Sequence, residues 1–176
     1  HRDLHSFPTR RSSDLKDLAA IVNKILKELT NEFLNLKLQY SSSLGSKETI
    51  LQSGPKVLES VRLREKALES TTLGPHRDDL IAILNGRSVK EHASQGQKRL
   101  IAIALTLAPY FMEKEDHKKP IIILDDVLSE LDDNHQERLI NLLLKCKQSF
   151  ITATRYDNYA HAIYEVTDTK EIRRIN

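Results

Sequence analysis

The sequence is poor in cysteine, with Cys146 as the single example among 176 residues. One thiol cannot form an internal disulfide framework or a cysteine zinc site, and this scarcity is typical of proteins from a reducing cytosol. Long apolar runs are also missing, since none approaches the roughly 20 residues that a membrane-spanning helix needs. The sequence therefore predicts a cytoplasmic protein without a membrane contact.

The phosphate-binding loop G-x-x-x-x-G-K-[ST] is absent from these residues as well. In SSSLGSKET, Gly45 precedes Lys47 and Thr49, but the glycine spacing and the strand-to-helix setting are lacking, so we interpret it as a plain loop. The chain by itself is therefore not expected to bind or hydrolyse ATP with useful affinity. The histidines lack the spacing of zinc ligands, and no interleaving of aromatic and basic residues suggests base stacking on single strands.

Composition indicates a globular protein of ordinary size. Charged residues make up 30% of the chain and hydrophobic residues 39%, which is typical of soluble domains. The net charge of +2 is too small to indicate nucleic-acid binding by itself, so only local patches could do so. The length suits one domain, or one core with an appendage.

The first fifteen residues do not match the rest of the chain. HSFPTRRSSDL has no apolar period and resembles the translation of a common DNA-sequencing adapter. We interpret residues 1–15 as non-native and expect the native part of this sequence to start near Lys16. In the natural protein, we expect further residues to precede that position. The alternative is a natural polar tail with a turn at Pro8.

Residues 16–70 are predicted to be largely helical. Apolar spacing predicts an amphipathic helix over Lys16–Phe33, and alternation predicts a strand over Leu34–Tyr40. A loop follows, Gly54-Pro55 is expected to break the chain, and a second helix is expected over Lys56–Ser70. Two helices ahead of the motifs suggest an arm or lever.

Residues 71–176 alternate strand and helix patterns. We expect a hairpin at Asn85-Gly86, a helix after Ser94 that ends before Pro109 or one turn past it, and a helix over Asn134–Cys146. The continuous apolar runs IIIL and SFI predict parallel strands that are covered on both faces, and the chain is expected to end in a strand or hairpin. This alternation is typical of an α/β fold.

Two carboxylates follow the predicted strand Ile121–Leu124. Asp125 and Asp126 lie at its carboxyl end, where open parallel sheets bind ligands. One of them can hold Mg²⁺ and the other can orient an attacking water. The alternative is a helix cap with a solvated acid. In the next segment, Asp132 or Asp133 can cap the following helix.

The segment ASQGQ opens an apolar helix at Ser94. Serine is a good N-cap, and Gly96 allows another molecule to approach the backbone closely. The order SQGQ, then IIILDD, then SELD, then a strand ending in threonine resembles the ATP-binding-cassette class of ATPase heads. The pair GPHRDDL and LDDVLSELDD is more specific and resembles the RecF family of bacterial DNA replication and repair proteins, across 16–176.

The resemblance implies the fold and the domains. It implies an α/β head of the phosphate-loop NTPase type with a mostly parallel sheet, lacking the N-terminal half that carries the phosphate loop. Residues 16–70 would be the helical arm segment, and 71–176 the C-terminal part of the head with its signature motif, Walker B strand and D-loop.

The resemblance also implies the roles of individual residues. Two heads would bind ATP between them, and the signature residues of one head would cap the γ-phosphate held by the other: Ser94, Gln95, Gly96 and Gln97. Asp125 would hold Mg²⁺, and Asp126 would be the catalytic base or would position the attacking water. Where the class has a γ-phosphate histidine, FITATR offers Thr152 and Thr154, of which Thr154 is the candidate nucleotide contact. The head–head contact would include Ser129, Glu130, Leu131 and Asp132. Lys98 and Arg99 could also reach phosphates, or form a solvated first turn.

The function implied is an ATP-gated, DNA-binding ATPase with slow hydrolysis, because aspartate replaces the usual glutamate at Asp126. Implied partners are a second copy of the chain, duplex DNA near single-strand junctions, and the RecO and RecR mediators of repair and replication restart. His76 and Arg77 could contact DNA or the partner head; alternatively they belong to a salt-bridged loop. Two other functions remain open: a non-catalytic module that binds DNA or a partner, and a different chromosome-maintenance or break-repair ATPase.

Overall fold

A computed structural model describes residues 7–45, 47–154, 162–166 and 172–174. The helices are α1 Phe7–Thr30, α2 Lys47–Leu68, α3 Val89–His92, α4 Gln95–Met112 and α5 Asp133–Leu143. The strands are β1 Leu36–Ser41, β2 Asp79–Leu84, β3 Arg87–Ser88, β4 Ile122–Leu124, β5 Ser149–Ile151, β6 Tyr164–Val166 and β7 Ile172–Arg174. In the described part of the chain, no helix has both the length and the apolar character that crossing a membrane requires.

The strands form three small sheets. β1, β2 and β3 pair antiparallel in that order, and β6 pairs antiparallel with β7. β4 and β5 form a parallel pair in which Ile123 lies opposite Phe150. The expected α/β architecture is therefore present, and parallel pairing within the described residues is confined to β4 and β5.

The core is built by α1, α4, α5 and β1. Leu26 and Leu29 of α1, Leu107 of α4 and Leu139 of α5 are all fully buried, and Leu36 of β1 joins them. The apolar positions of α1 recur at helical spacing, so one face of the helix packs on the core. The first helix and strand thus contribute side chains to the core, and the division of the chain into an arm over residues 16–70 and a head stays a prediction.

The boundaries of α1 also differ from the prediction. The helix begins at Phe7, so residues 7–15 continue it, and whether they are native stays a prediction. It ends at Thr30, because Asn31 takes a left-handed conformation (φ 58°). Phe33, expected inside the helix, lies beyond that stop and is 84% exposed.

The predicted chain break at Gly54-Pro55 is wrong. α2 runs through both residues. A proline inside a helix removes one backbone hydrogen bond, which disfavours the helix but does not always end it. Lys47 and Thr49 consequently belong to α2 and not to the preceding loop. α2 carries exposed apolar side chains, among them Leu63 at 82%.

The predicted hairpin turn and helix caps are confirmed by the structure. Asn85 and Gly86 both have positive φ and join β2 to β3, as a two-residue hairpin turn requires. α4 starts after Ser94 and continues one turn past Pro109. α5 is capped by Asp132 and ends at Leu143, three residues before the predicted Cys146.

The strand ahead of the acid pair is covered on one face only. Ile122 and Leu124 are buried, whereas Ile123 is 69% exposed and Phe150, its neighbour on β5, is 53% exposed. The prediction of strands covered on both faces is therefore wrong for these residues. Helix α4 and the rest of the core cover one side, and no described element covers the other.

Candidate functional site

The start of α4 is held by a capping box. Ser94 Oγ accepts a hydrogen bond from the Gln97 backbone N–H at 3.2 Å, and Gln97 Oε1 accepts one from the Ser94 N–H at 3.0 Å. These bonds satisfy one orphan N–H of the helix and fix the entry of the chain. The N–H groups of Gln95 and Gly96 belong to the same first turn and have no partner within the helix. Gln97 thus shapes the helix start from within the chain.

Gly96 has no internal reason to be glycine. A Cβ atom built there would meet nothing within 4 Å, and its φ is not in the left-handed region. Glycine is normally retained where the backbone needs unusual dihedrals or a close neighbour. Neither condition holds among the residues that the structure describes, so close approach by another molecule is a physical reason for glycine here.

The basic residues that follow are engaged within the chain. Lys98 Nζ donates to the carbonyl oxygen of Lys90 at 3.0 Å. Arg99 makes two contacts to one residue: its Nε lies 2.7 Å from Glu130 Oε2, and its side chain donates to the Glu130 carbonyl at 3.1 Å. Helix α4 is therefore tied to the loop between β4 and α5. Sequence patterns missed this link because the two residues lie 31 positions apart.

The acid pair is organised by the neighbouring strand. The Thr152 hydroxyl donates to Asp125 Oδ1 and accepts from the Asp126 N–H at 2.9 Å. Asp126 has φ 49°, in the left-handed region, and its carbonyl accepts a hydrogen bond from the Ser129 hydroxyl at 2.9 Å. The structure thus brings Asp125, Asp126 and Ser129 together and adds Thr152.

The loop between β4 and α5 is fixed by a side chain of α5. A short 3₁₀ turn covers Leu128–Glu130, and Gln136 Nε2 donates to the carbonyls of Leu128 and Leu131, each at 2.9 Å. The Leu131 side chain packs against the core. The predicted contact residues of this loop therefore have defined positions before any partner is bound.

Asp132 caps α5. It accepts hydrogen bonds from the His135 backbone N–H at 3.0 Å and lies 2.6 Å from His135 Nδ1. The backbone bond, together with the contact to the ring, lowers the pKa of the Asp132 carboxyl below its ordinary value. An anionic Asp132 is thus favoured at the helix N-terminus.

An open groove of about 550 Å³ joins the two helix starts. Ser94, Gly96 and Gln97 line it from α4, and Asp132 and His135 line it from α5. The groove therefore places Ser94, Gly96 and Gln97 beside Asp132, and their roles as signature and D-loop residues stay predictions. Arg138 also lines it, although no sequence pattern had singled this residue out.

Other predicted site residues lie apart from these clusters. Thr154 is exposed and makes no hydrogen bond to the residues that the structure describes. Arg77 Nε donates to the Thr71 carbonyl at 3.1 Å, and His76 Nε2 lies 2.8 Å from Thr71 Oγ1. Asp78 accepts from the Ser43 N–H at 2.7 Å, so this loop is held by polar contacts to its own surroundings.

The fold is similar to that of solved SMC heads. The SMC head bound to the C-winged helix domain of ScpA matches 93% of this chain and 43% of that chain, with a TM-score of 0.59 at 17% identity. At this identity the likeness concerns the fold alone, and the chain shares the α/β fold of that head.

The more specific similarity is to RecF. DNA replication and repair protein RecF of Natranaerobius thermophilus is 35% identical over 161 residues, which are 85% of this chain and 42% of the relative. RecF of Heliobacterium modesticaldum is 39% identical over 150 residues, 82% of this chain and 40% of the relative. The solved recombination mediator protein RecF with ATP matches 96% of this chain and 46% of that chain, with a TM-score of 0.70 at 30% identity.

The chain therefore resembles the C-terminal part of RecF proteins, as its motifs predicted. It spans less than half the length of the relatives described above. No protein-family model matches it.

Proposed function

We propose that this chain supplies the signature helix, the Walker B acids and the D-loop of a RecF-type ATPase, in which ATP bound between two heads controls DNA binding in repair and replication restart. The observation that carries the proposal is the exposed start of α4, where Gly96 has open space and Ser94 caps the helix. Free N–H groups and the positive end of the helix dipole favour an anion, and the γ-phosphate of ATP is such an anion.

The nucleotide on this helix would be cradled by a phosphate loop outside these 176 residues. Ser94 and the N–H groups of Gln95 and Gly96 would then contact the γ-phosphate from the opposite side. Gln97 would contribute by holding Ser94, as its capping-box bonds indicate. Such closure excludes water and joins two copies of the chain only when ATP is bound.

The acid pair suits Mg²⁺-dependent chemistry. Thr152 occupies one oxygen of Asp125, and its other oxygen accepts no hydrogen bond within the described residues. Mg²⁺ is commonly held by one or two carboxylates together with phosphate oxygens and water, so Asp125 fits the role of a magnesium ligand. The ion would neutralise charge on the phosphates, and Asp126 would orient the attacking water. Aspartate is shorter than glutamate by one methylene, so we expect slow hydrolysis, suited to a switch.

DNA, RecO and RecR are proposed partners on the basis of the relatives' names and the sequence motifs. Contacts to DNA would involve the backbone and so weaken with salt. A non-catalytic module remains the second candidate, because the sequence contains no phosphate loop. Genomic sequence upstream of the Lys16 codon distinguishes the two: a strand–GxxxxGK[ST]–helix unit in frame supports the ATPase, and a natural start there supports the module.

The direct test uses Ser94 variants of the full-length gene product and analytical ultracentrifugation with and without ATP. Aspartate caps helices as well as serine does, but its charge repels phosphate, so Ser94→Asp should fold normally and weaken ATP-dependent dimerisation about tenfold or more, equivalent to about 1.4 kcal/mol. The matched control Ser94→Thr keeps both hydroxyl and cap and should dimerise. Unaltered dimerisation of Ser94→Asp would contradict the assignment of the signature helix.

Asp126→Asn tests the acid pair by the same measurement. Asparagine keeps the size of aspartate and tolerates positive φ, so this variant should fold and should accumulate the ATP-bound dimer.

A further inference from the structure

We propose that Thr152 is a positioning residue of the hydrolytic site, whose single hydroxyl sets the orientation of Asp125 and of Asp126 together. The inference rests on the proposed ATPase function of the acid pair. The positioning role of Thr152, which directly follows β5, is separate from the γ-phosphate contact predicted for Thr154, two residues later.

The position of the Thr152 hydroxyl is determined by the sheet. The Thr152 N–H donates to the Leu124 carbonyl at 3.0 Å, which extends the parallel pairing of β4 and β5 by one residue. The side chain therefore starts from a backbone that is fixed relative to the acid pair. A hydroxyl has one donor and two acceptor sites, and here the donor serves Asp125 while an acceptor serves Asp126.

The contact to Asp125 fixes a carboxylate by means of a neutral group. Binding one oxygen to the Thr152 hydroxyl restricts rotation of the carboxylate and leaves the second oxygen directed elsewhere. Partners of metal-binding carboxylates act in this way, by orienting the ligand without touching the metal. The proposed magnesium ligand is thus oriented before nucleotide arrives.

The contact to Asp126 acts through the backbone. The Asp126 carboxylate makes no hydrogen bond to the described residues, so the direction of its side chain follows from its main-chain conformation. That conformation is left-handed, with φ 49°, and is bound at both ends: Thr152 accepts from the N–H, and Ser129 donates to the carbonyl. Without Thr152 the N–H would lose its partner, and the residue could relax toward an ordinary extended or helical φ.

The experiment compares three variants of the full-length gene product. Thr152→Val keeps the shape but removes the hydroxyl, and Thr152→Ser restores the hydroxyl. The control Thr106→Val removes the same group from the exposed side of α4, where the Thr106 hydroxyl donates to the Ala102 carbonyl of its own helix at 3.0 Å. Steady-state ATP hydrolysis is measured against ATP and, separately, against Mg²⁺ concentration, and circular dichroism checks folding.

We expect Thr152→Val to lower kcat and raise the half-saturating Mg²⁺ concentration, each by roughly 10-fold to 100-fold, with KM for ATP within about twofold of wild type. Thr152→Ser should recover most of the activity, and Thr106→Val should resemble wild type. The split between kcat and KM and the rescue by serine would not arise from a general loss of structure.

Two failures are distinguishable. An active wild-type protein in which Thr152→Val hydrolyses ATP normally, or in which Thr152→Ser is as impaired as Thr152→Val, would overturn the role of Thr152 alone. A full-length wild-type protein that hydrolyses no ATP with Mg²⁺ and DNA would overturn the proposed function, and the positioning role with it.

Discussion

Gly96 is a residue whose identity is not explained by its contacts within the described structure. Its surroundings would accept a methyl group without contact, and helices favour alanine over glycine by up to about 1 kcal/mol. Folding alone would therefore favour alanine at this position. A glycine that folding does not need is consistent with close approach of a phosphate to the backbone.

Gly96→Ala should accordingly separate stability from binding. We expect the free energy of unfolding in urea to stay unchanged or rise by up to about 1 kcal/mol. ATP-dependent dimerisation of the full-length gene product should weaken, because the new methyl group occupies the space beside the N–H. The exposed α2 residue Ala67→Gly serves as the opposite control, with lower stability and normal dimerisation. Undiminished dimerisation of Gly96→Ala would leave the glycine unexplained.

Residue-scale signals also show what sequence could reveal about the site. Ser94 and Asp132 were predicted as caps because capping depends on atoms within three residues along the chain. The contacts of Thr152 with Asp126 and of Arg99 with Glu130 were not predicted, because these partners lie 26 and 31 residues away and meet only when strands and helices pack. Chemistry between neighbours is legible in a sequence, whereas contacts across the fold are not.

At the scale of elements, α5 depends on an ionised cap. The pKa of Asp132 is lowered by the His135 backbone N–H, then by the His135 side chain, so the folded carboxyl releases its proton at lower pH than the unfolded one. The stability it adds is present above the unfolded pKa of about 3.9 and is lost as pH falls through the lower folded value. The helix start should therefore weaken in acid.

Asp132→Ala tests this dependence. Urea unfolding near pH 7 should show a destabilised variant, and the difference from wild type should shrink as the pH falls below the unfolded pKa of about 3.9 and through the lower pKa of the folded carboxyl, where Asp132 becomes neutral. Asp133→Ala is the matched control, because Asp133 has the same charge but makes no described side-chain hydrogen bond. A difference that stays constant over this range, or that Asp133→Ala reproduces, would contradict the role of the ionised cap.

Elements also show where prediction from sequence fails. Helix α1, the β2–β3 hairpin and α4 followed from periodicity and turn residues, because these patterns act locally. The helical path through Gly54-Pro55 did not, since proline only disfavours a helix and α2 contains it nonetheless. The coverage of β4 failed for a different reason: an apolar run shows that a strand can be buried, but not which molecule buries it.

At the scale of the whole molecule, one face of the β4–β5 pair exposes apolar side chains beside the acid pair. Ile121, Ile123 and Phe150 are all more than half exposed. Apolar side chains clustered on a sheet face commonly mark contact with other protein. This surface lies on strands whose carboxyl ends carry the acid pair and Thr152, so whatever covers it also borders the site.

The 176-residue chain, when isolated, should consequently self-associate through this face. We expect the double variant Ile123→Thr/Phe150→Thr, which keeps strand-forming residues, to reduce concentration-dependent association in sedimentation and to bind less of an apolar dye. Leu63→Gln/Leu68→Gln removes a similar amount of exposed apolar surface from α2 and is the control. Equal effects of both variants, or no effect of the first, would show that the sheet face has no special role.

Two adjacent residues of the D-loop segment connect separate parts of the molecule. The Ser129 side chain binds Asp126, and that of Glu130 binds Arg99 on α4. In the proposed ATPase, a displacement of α4 would therefore reach the acid pair through these two side chains. Thermodynamic linkage would make this coupling reciprocal, so binding of Mg²⁺ at the acid pair would change the affinity of α4 for phosphate by the same free energy. In a dimer, Mg²⁺ binding at the acid pair of one head would thus change the affinity of that head's α4 for the nucleotide held by the other head.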